Sequence, residues 1–282
     1  MRAAPFLLVL LAACSEPKGP APAPAPPPPS RELPRIDFGA YGDCRSGHDV
    51  HRAICASLAA MKPRFVAVSG DLVDWGDDEG DWETFRGIVR ELRAATEYLP
   101  APGNHDVSSQ RNFEREFRLE RPYYDRRLGE IHVFLLDSND SFQDAPQLRW
   151  LEETASASDA KHKFAVFHHS PWTVDPYGEH GTRMIRDRIH GLLVRLRFCA
   201  AFCGHHHAFY TTRRDGLRYV VTAGGGAPLY EIDPSKAIPG DLFRKFHHFV
   251  GCAVSDRGIS ARVFEPDGRE VPELAFPVCQ HP

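Results

Sequence analysis

The sequence predicts an α/β fold, and three observations predict it. Short β-like apolar runs alternate with stretches of helical periodicity between about residues 35 and 207. Beyond His207 the helical signal fades into β-rich sequence. Asp, Asn and His residues gather just after the apolar runs. Alternation followed by a β-rich tail implies an α/β sheet with added antiparallel strands. In such sheets ligands bind beyond the carboxyl ends of the strands.

Taken in order, residues 35–41 (RIDFGAY) are a strand candidate, and 50–61 have helical spacing through Ile54, Leu58 and Met61. Residues 64–69 (RFVAVS) have the composition of a buried strand, and a helix is expected over 82–95. Residues 97–101 and 131–136 are further strands. A helix at 145–155 leads to a strand at 163–167, and a helix at 183–196 leads to a strand at 198–202. Residues 210–222 read as a hairpin turning at Asp215-Gly216, because that dipeptide suits a two-residue turn. Strands at 246–254 and 259–264 follow, and no internal repeat is visible.

Composition narrows the function. The chain has 282 residues, 42% hydrophobic and 26% charged, which is the balance of a globular protein and excludes disordered or fibrous classes. With 34 Lys+Arg against 38 Asp+Glu it lacks a basic excess, so no nucleic-acid partner is indicated. Its 24 prolines and 15 histidines need explaining. Eight of the prolines fall within 15–30, a stretch with nothing to bury that favours an extended spacer. Before it come Arg2, an apolar run over 3–13 and Cys14, the layout of an export signal. The ending Leu11-Ala12-Ala13-Cys14 resembles a bacterial lipobox. That resemblance implies a signal peptide at 1–13, a lipidated Cys14 opening a Pro-rich linker at 14–33, and a folded domain at 34–282. It also implies an exported protein, held to the outer membrane by lipid on Cys14. Six cysteines remain and allow fifteen pairings; Cys199 with Cys203 is disfavoured, since five residues of strand hold them about 13 Å apart.

Five polar clusters follow the strands: Asp43, Asp71, Asn104-His105-Asp106, His168-His169 and His205-His206-His207. A lone strand-end Asp is usually a cap or turn former. Five clusters after successive apolar runs instead converge on one site of carboxylate, amide and imidazole, a set that suits Mn, Zn or Fe.

In these residues the chain resembles the calcineurin-like metallophosphoesterases. The carrying motifs are Gly42-Asp43, Gly70-Asp71-Leu72-Val73-Asp74, Gly103-Asn104-His105-Asp106, His169-Ser170-Pro171-Trp172 and Gly204-His205-His206-His207. The His-Ser-Pro-Trp and Leu135-Leu136-Asp137-Ser138-Asn139 stretches are closest in style to the purple acid phosphatase branch. The resemblance implies a four-layer αββα sandwich and a dinuclear centre of two metal ions. Asp71 would bridge them, Asp43 and His207 would bind the first, and Asn104, His169 and His205 the second. The implied activity is hydrolysis of small phosphomonoesters or phosphodiesters by a metal-bound hydroxide. His105 would serve as general acid or oxyanion stabiliser, oriented by Asp106. The glycines before Asp71, Asn104 and His205 are expected to let the chain turn sharply.

One departure stands out. The family places His two residues after the first Asp, and its purple acid phosphatase branch places Tyr three residues after the bridging Asp. Here those positions hold Arg45 and Asp74. His48 is the preferred replacement ligand, with His51 as the other candidate. Arg45 would then be free to clamp a phosphoryl oxygen, or would be a surface ion pair. The same departure motivates an alternative function, a non-catalytic binding lipoprotein with a weakened metal site.

Overall fold

The computed structural model describes residues 33–280. The expected signal peptide at 1–13, Cys14 and all but the last residue of the expected linker at 14–33 lie outside the described residues. In chain order the first elements are β1 (Phe38–Tyr41), α1 (His48–Met61), β2 (Phe65–Val68), α2 (Glu79–Ala95) and β3 (Glu97–Pro100). Next come α3 (Asn112–Phe117), β4 (Tyr124–Leu128), β5 (Ile131–Leu135), α4 (Ala145–Ser156), β6 (His162–His169) and α5 (Glu179–Arg195). The tail holds β7 (Ala200–Gly204), β8 (Phe209–Arg214), β9 (Leu217–Thr222), β10 (Leu242–Arg244), β11 (Phe249–Ser255), β12 (Gly258–Phe264) and β13 (Phe276–Gln280).

These strands form two sheets, ordered β13-β12-β11-β1-β2-β3 and β10-β8-β9-β7-β6-β5-β4. Alternation along each strand explains the four layers. In β1, Phe38 and Ala40 face the second sheet, where Phe164, Val166 and Phe202 meet them. Tyr41 faces the other way, with Val66 and Val68, onto Ile54 and Leu58 of α1 and Trp82, Phe85 and Val89 of α2. On the far side, Ala165 and Phe167 pack with Leu151 of α4 and Ile185 and Ile189 of α5. The αββα sandwich implied by the sequence is therefore the fold. At Gly39 the sheet makes room for α1, because a Cβ there would lie 2.6 Å from Leu58 Cδ2.

Local chemistry starts and stops the elements. Asp78 caps α2 by accepting the N–H groups of Gly80 and Asp81 at 2.7 and 3.1 Å. The hairpin forms as expected: Arg214 pairs with Leu217 across Asp215 and Gly216, both with positive φ. Cys199, just before β7, forms a disulfide with Cys279 of β13, with Cα atoms 5.7 Å apart, and so ties the two sheets together. Cys44, Cys55, Cys203 and Cys252 are buried free thiols. No helix among the described residues is long and apolar enough to cross a membrane.

For the site, strand direction matters most. β1, β2 and β3 run parallel in one sheet, and β6 and β7 run parallel in the other. Their carboxyl ends lie at one edge of the sandwich.

Candidate metal centre

Each ligand candidate sits where a strand gives way to a tight turn. Asp43 (φ 57°), Asp71 (φ 55°) and His205 (φ 71°) adopt left-handed backbone that residues with a Cβ rarely occupy. The turning is thus done by the ligand residues themselves, and of the three preceding glycines only Gly70 shares it, with φ 91°. Gly103 and Gly204 serve another need. A Cβ at Gly103 would fall 2.2 Å from Asp71 Oδ1, and one at Gly204 would fall 2.5 Å from Asp43 Oδ2. They make room for the carboxylates rather than bend the chain.

Four candidate ligand atoms converge at the second metal position. His168 Nε2 lies 3.1 Å from Asn104 Oδ1, 3.4 Å from Asp71 Oδ1 and 3.2 Å from His205 Nδ1. His205 Nδ1 is also 3.1 Å from Asn104 Oδ1. His168 donates its Nδ1 proton to the Ser69 carbonyl at 2.8 Å, which leaves Nε2 a bare lone pair. Burial lowers the His168 pKa to about 4, so the ring is neutral. Oxygen and nitrogen ligand atoms gathered this closely suit a cation between them, so the residues fit a metal ion here. His169 belongs to the same cluster, its ligand atom within 4.8 Å of those of His168 and His205. Its Nδ1 meets Ser138 Oγ at 2.9 Å, and burial with the two neighbouring rings lowers its pKa to about 2. Sequence reasoning preferred His169 by its motif; the structure brings both histidines in, and His168 makes the closer convergence.

The first position is less complete. Asp43, Asp71 and His207 are all buried, with ligand atoms within 4.8 Å of one another. His207 Nε2 lies 3.3 Å from Asp43 Oδ1, and its Nδ1 donates to Pro228 O at 2.6 Å. Burial disfavours the charged ring, but the bond to Asp43 and its charge outweigh that and raise the His207 pKa. His48 is not brought to this trio: it is the exposed first residue of α1. The reason is local. The N–H groups of Cys44 and Arg45 donate to Asp71 O at 3.0 and 3.1 Å, which turns Arg45 inward, and Gly47 then packs on Gly226 before the helix starts. His51, the other candidate ligand, is not brought to the trio either: it is buried and meets Tyr41 Oη at 3.0 Å through Nε2.

Arg45 lies against the carboxylates rather than at the surface. Its Nη1 donates to Asp74 Oδ1 at 2.6 Å and its Nε is 3.5 Å from Asp71 Oδ2. Tyr230, which sequence reasoning missed, stacks on His207 at 4.0 Å between ring centroids, and burial raises its pKa while the Arg45 charge lowers it. Its only sequence signal is its place in the loop after the glycine triplet at 224–226. That triplet braces the first turn: Gly225 N donates to Gly42 O and Ala227 N to Asp43 O, both at 2.9 Å.

His105 is half-buried and its Nδ1 donates to the backbone carbonyl of Asp74 at 2.7 Å. Asp106 therefore does not orient it, contrary to the expectation from the motif. Both oxygens of the fully buried Asp106 are spent on backbone N–H groups of Asp71, Leu72, Val73 and Gly103, at 2.7–3.2 Å. It stitches the turn after β2 to the turn after β3. Burial and the Asp71 charge push its pKa up to about 8, while those N–H donors pull it back down. His206 turns away from the centre, its Nε2 meeting Glu231 O at 3.2 Å. Beside His169 and His205 opens a cavity of about 200 Å³, lined also by Thr173, Asp175, Tyr177 and Ile185.

Known proteins resemble this chain in sequence and fold. The model of the calcineurin-like phosphoesterase family matches residues 38–209. A probable purple acid phosphatase 20 of Arabidopsis thaliana is 24% identical over 216 residues, 64% of this chain and 50% of that protein. The chain thus spans half or less of the length of the curated relatives it matches. Among solved structures, purple acid phosphatase PPD1 from yellow lupin (Lupinus luteus) superposes with a TM-score of 0.72 at 16% identity, over 89% of this chain and 55% of that one. GAP50, the anchor in the inner membrane complex of Plasmodium, gives 0.70 at 10% identity, over 87% and 89%. Both show the same fold. The family match covers well over half of the chain and all five motifs that meet at the donor cluster, so the chain belongs to the calcineurin-like phosphoesterases, a family of metal-dependent phosphoric ester hydrolases.

Proposed function

We propose that the chain hydrolyses phosphomonoesters or phosphodiesters at this centre, as an exported protein tethered by lipid on Cys14. The convergence of His168 Nε2, Asn104 Oδ1, Asp71 Oδ1 and His205 Nδ1, at 3.1–3.4 Å, carries the reading, because this mixed oxygen and nitrogen set suits a transition-metal cation. A bound cation supplies acidity to water and charge to offset that of a phosphoryl group. The protein's own groups do the rest. His105 keeps one proton on Nδ1 for the Asp74 carbonyl, so it is the doubly protonated ring that presents an Nε2–H to a leaving oxygen. Arg45 offers a fixed positive charge beside Asp71. The 200 Å³ cavity between His169 and Tyr177 is the place for the leaving group. Export is supported by the Cys199–Cys279 disulfide, a bond that oxidising compartments allow to persist.

The pairing of Arg45 with Asp74, at positions where the resemblance expects ligands, favours a second reading as a metal-binding protein without catalysis. Purified chain loaded with Mn²⁺, Zn²⁺ or Fe should hydrolyse aryl phosphates or aryl phosphodiesters, and Asp71→Asn should abolish this. Metal binding with both substrates untouched would establish the second reading instead. His105→Ala should keep the metal and lose most activity on substrates with poor leaving groups; equal loss on all substrates would remove its acid role.

A further inference from the structure

We infer that the guanidinium of Arg45 stands in for the first cation. The centre then holds a single metal ion, at the second position, and grips a phosphoryl group between that ion and Arg45. The inference rests on the phosphoesterase reading of the site. Its starting point is a double replacement: Arg45 and Asp74 occupy the two places where the resemblance expects the first cation's remaining donor. The two replacements answer each other, since Arg45 Nη1 donates to Asp74 Oδ1 at 2.6 Å.

The bridging carboxylate shows the consequence. Asp71 turns Oδ1 toward the second position, 3.4 Å from His168 Nε2, and Oδ2 toward Arg45 Nε at 3.5 Å. It already spans from a metal position to a positive charge, and that charge is never lost to deprotonation. A divalent ion held by Asp43, Asp71 Oδ2 and His207 would sit beside this guanidinium and be repelled by it. Three donors would have to overcome that repulsion, while the second position gathers His168, His169 and His205 with Asn104 Oδ1 and Asp71 Oδ1. Arg45 is also accessible to a ligand. Its Nε is buried without a hydrogen-bond partner, 3.5 Å from Asp71 Oδ2, while 16% of the side chain remains exposed. The accessible part of this guanidinium offers a charged donor to a phosphoryl oxygen.

Metal content and phosphate binding test this on the purified protein. After loading with excess Mn²⁺ or Zn²⁺ and desalting, mass spectrometry should count one ion per wild-type chain. The double variant Arg45→His with Asp74→Tyr, which restores both donor types, should hold two. Arg45→Met should still hold one ion but bind inorganic phosphate at least about tenfold more weakly by calorimetry, the loss of a charge-assisted bond. Two ions on the wild-type chain would overturn the inference. So would a folded double variant that still holds one, or unchanged phosphate affinity in Arg45→Met. Aryl phosphate hydrolysis measured on the same preparation separates the two readings: one ion without turnover defeats the enzyme and leaves the Arg45 assignment standing.

Discussion

The backbone N–H of Asp71 donates to Oδ2 of Asp106 at 2.8 Å, and through that bond the turn after β3 sets the conformation of the turn after β2. Leu72, Val73 and Gly103 complete the set of donors. Asp106→Ala would strand four N–H groups, at least some of them still buried, and unmade buried bonds cost about 1–3 kcal/mol each. We expect a loss of at least about 3 kcal/mol in urea unfolding, together with loss of metal as Asp71 leaves its left-handed turn. Unchanged metal affinity in Asp106→Ala would show that Asp71 needs no such support.

Gly103 provides a gentler way to disturb the same carboxylate. A Cβ there would lie 2.2 Å from both the N and Oδ1 of Asp71, too close for any rearrangement confined to one flexible atom. Gly103→Ala should therefore displace Asp71 and weaken metal binding by more than about tenfold, while the apolar core, remote from this turn, stays intact. Calorimetric metal titration checks the first expectation, and the melting temperature in chelator checks the second.

Much of this arrangement was legible in the sequence, for identifiable reasons. Strands such as 64–69 and 163–167 are apolar because both faces are covered, by the other sheet and by helices. Five motifs ended those strands, so their convergence could be inferred before any distance was known. Other features lacked a local signal. β4 (YDRRL) is an edge strand with an exposed face and three charges, so it has no apolar run. β10 spans three residues, and β13 carries Pro277, which an edge tolerates but which reads against a strand. α3 is six residues long, too short to show a period. His168 was outweighed by its neighbour because only the position of Ser69 O reveals which lone pair is free. The role of Asp106 was misread because its partners are backbone amides, which no sequence motif displays.

The disulfide gives a prediction that depends on topology rather than on the site. Cys199 and Cys279 are 80 residues apart, and closing a loop of that size restricts the unfolded chain by about 4 kcal/mol in the chain-entropy view. For a domain of this size that amounts to roughly 10 °C in melting temperature. Reduction should lower the melting temperature of the wild type by about that much and leave Cys279→Ser unaffected. Equal melting with and without reductant would mean that the link between β7 and β13 adds nothing to stability.

His51 makes acid stability testable separately from the metal ligands. It is packed between Tyr41, whose hydroxyl it meets at 3.0 Å, and Phe85, and the nearby His48 and Arg52 are its cationic neighbours. Burial, then those two charges, lowers its pKa to about 3 from an ordinary value of 6.5. Between these values the unfolded chain binds a proton that the folded chain refuses, so stability falls as pH drops from about 6.5 toward 3. At 1.36 kcal/mol per unit, this one group removes about 3 kcal/mol on going from pH 7 to pH 4. His51→Gln keeps a hydrogen-bonding amide near Tyr41 but cannot titrate. Whatever it costs at pH 7, its stability relative to the wild type should improve by about 3 kcal/mol at pH 4. The buried site histidines titrate in the same range in both proteins and cancel from the difference. Parallel stability curves for wild type and variant over pH 4–7 would show that His51 is protonated in the folded chain after all.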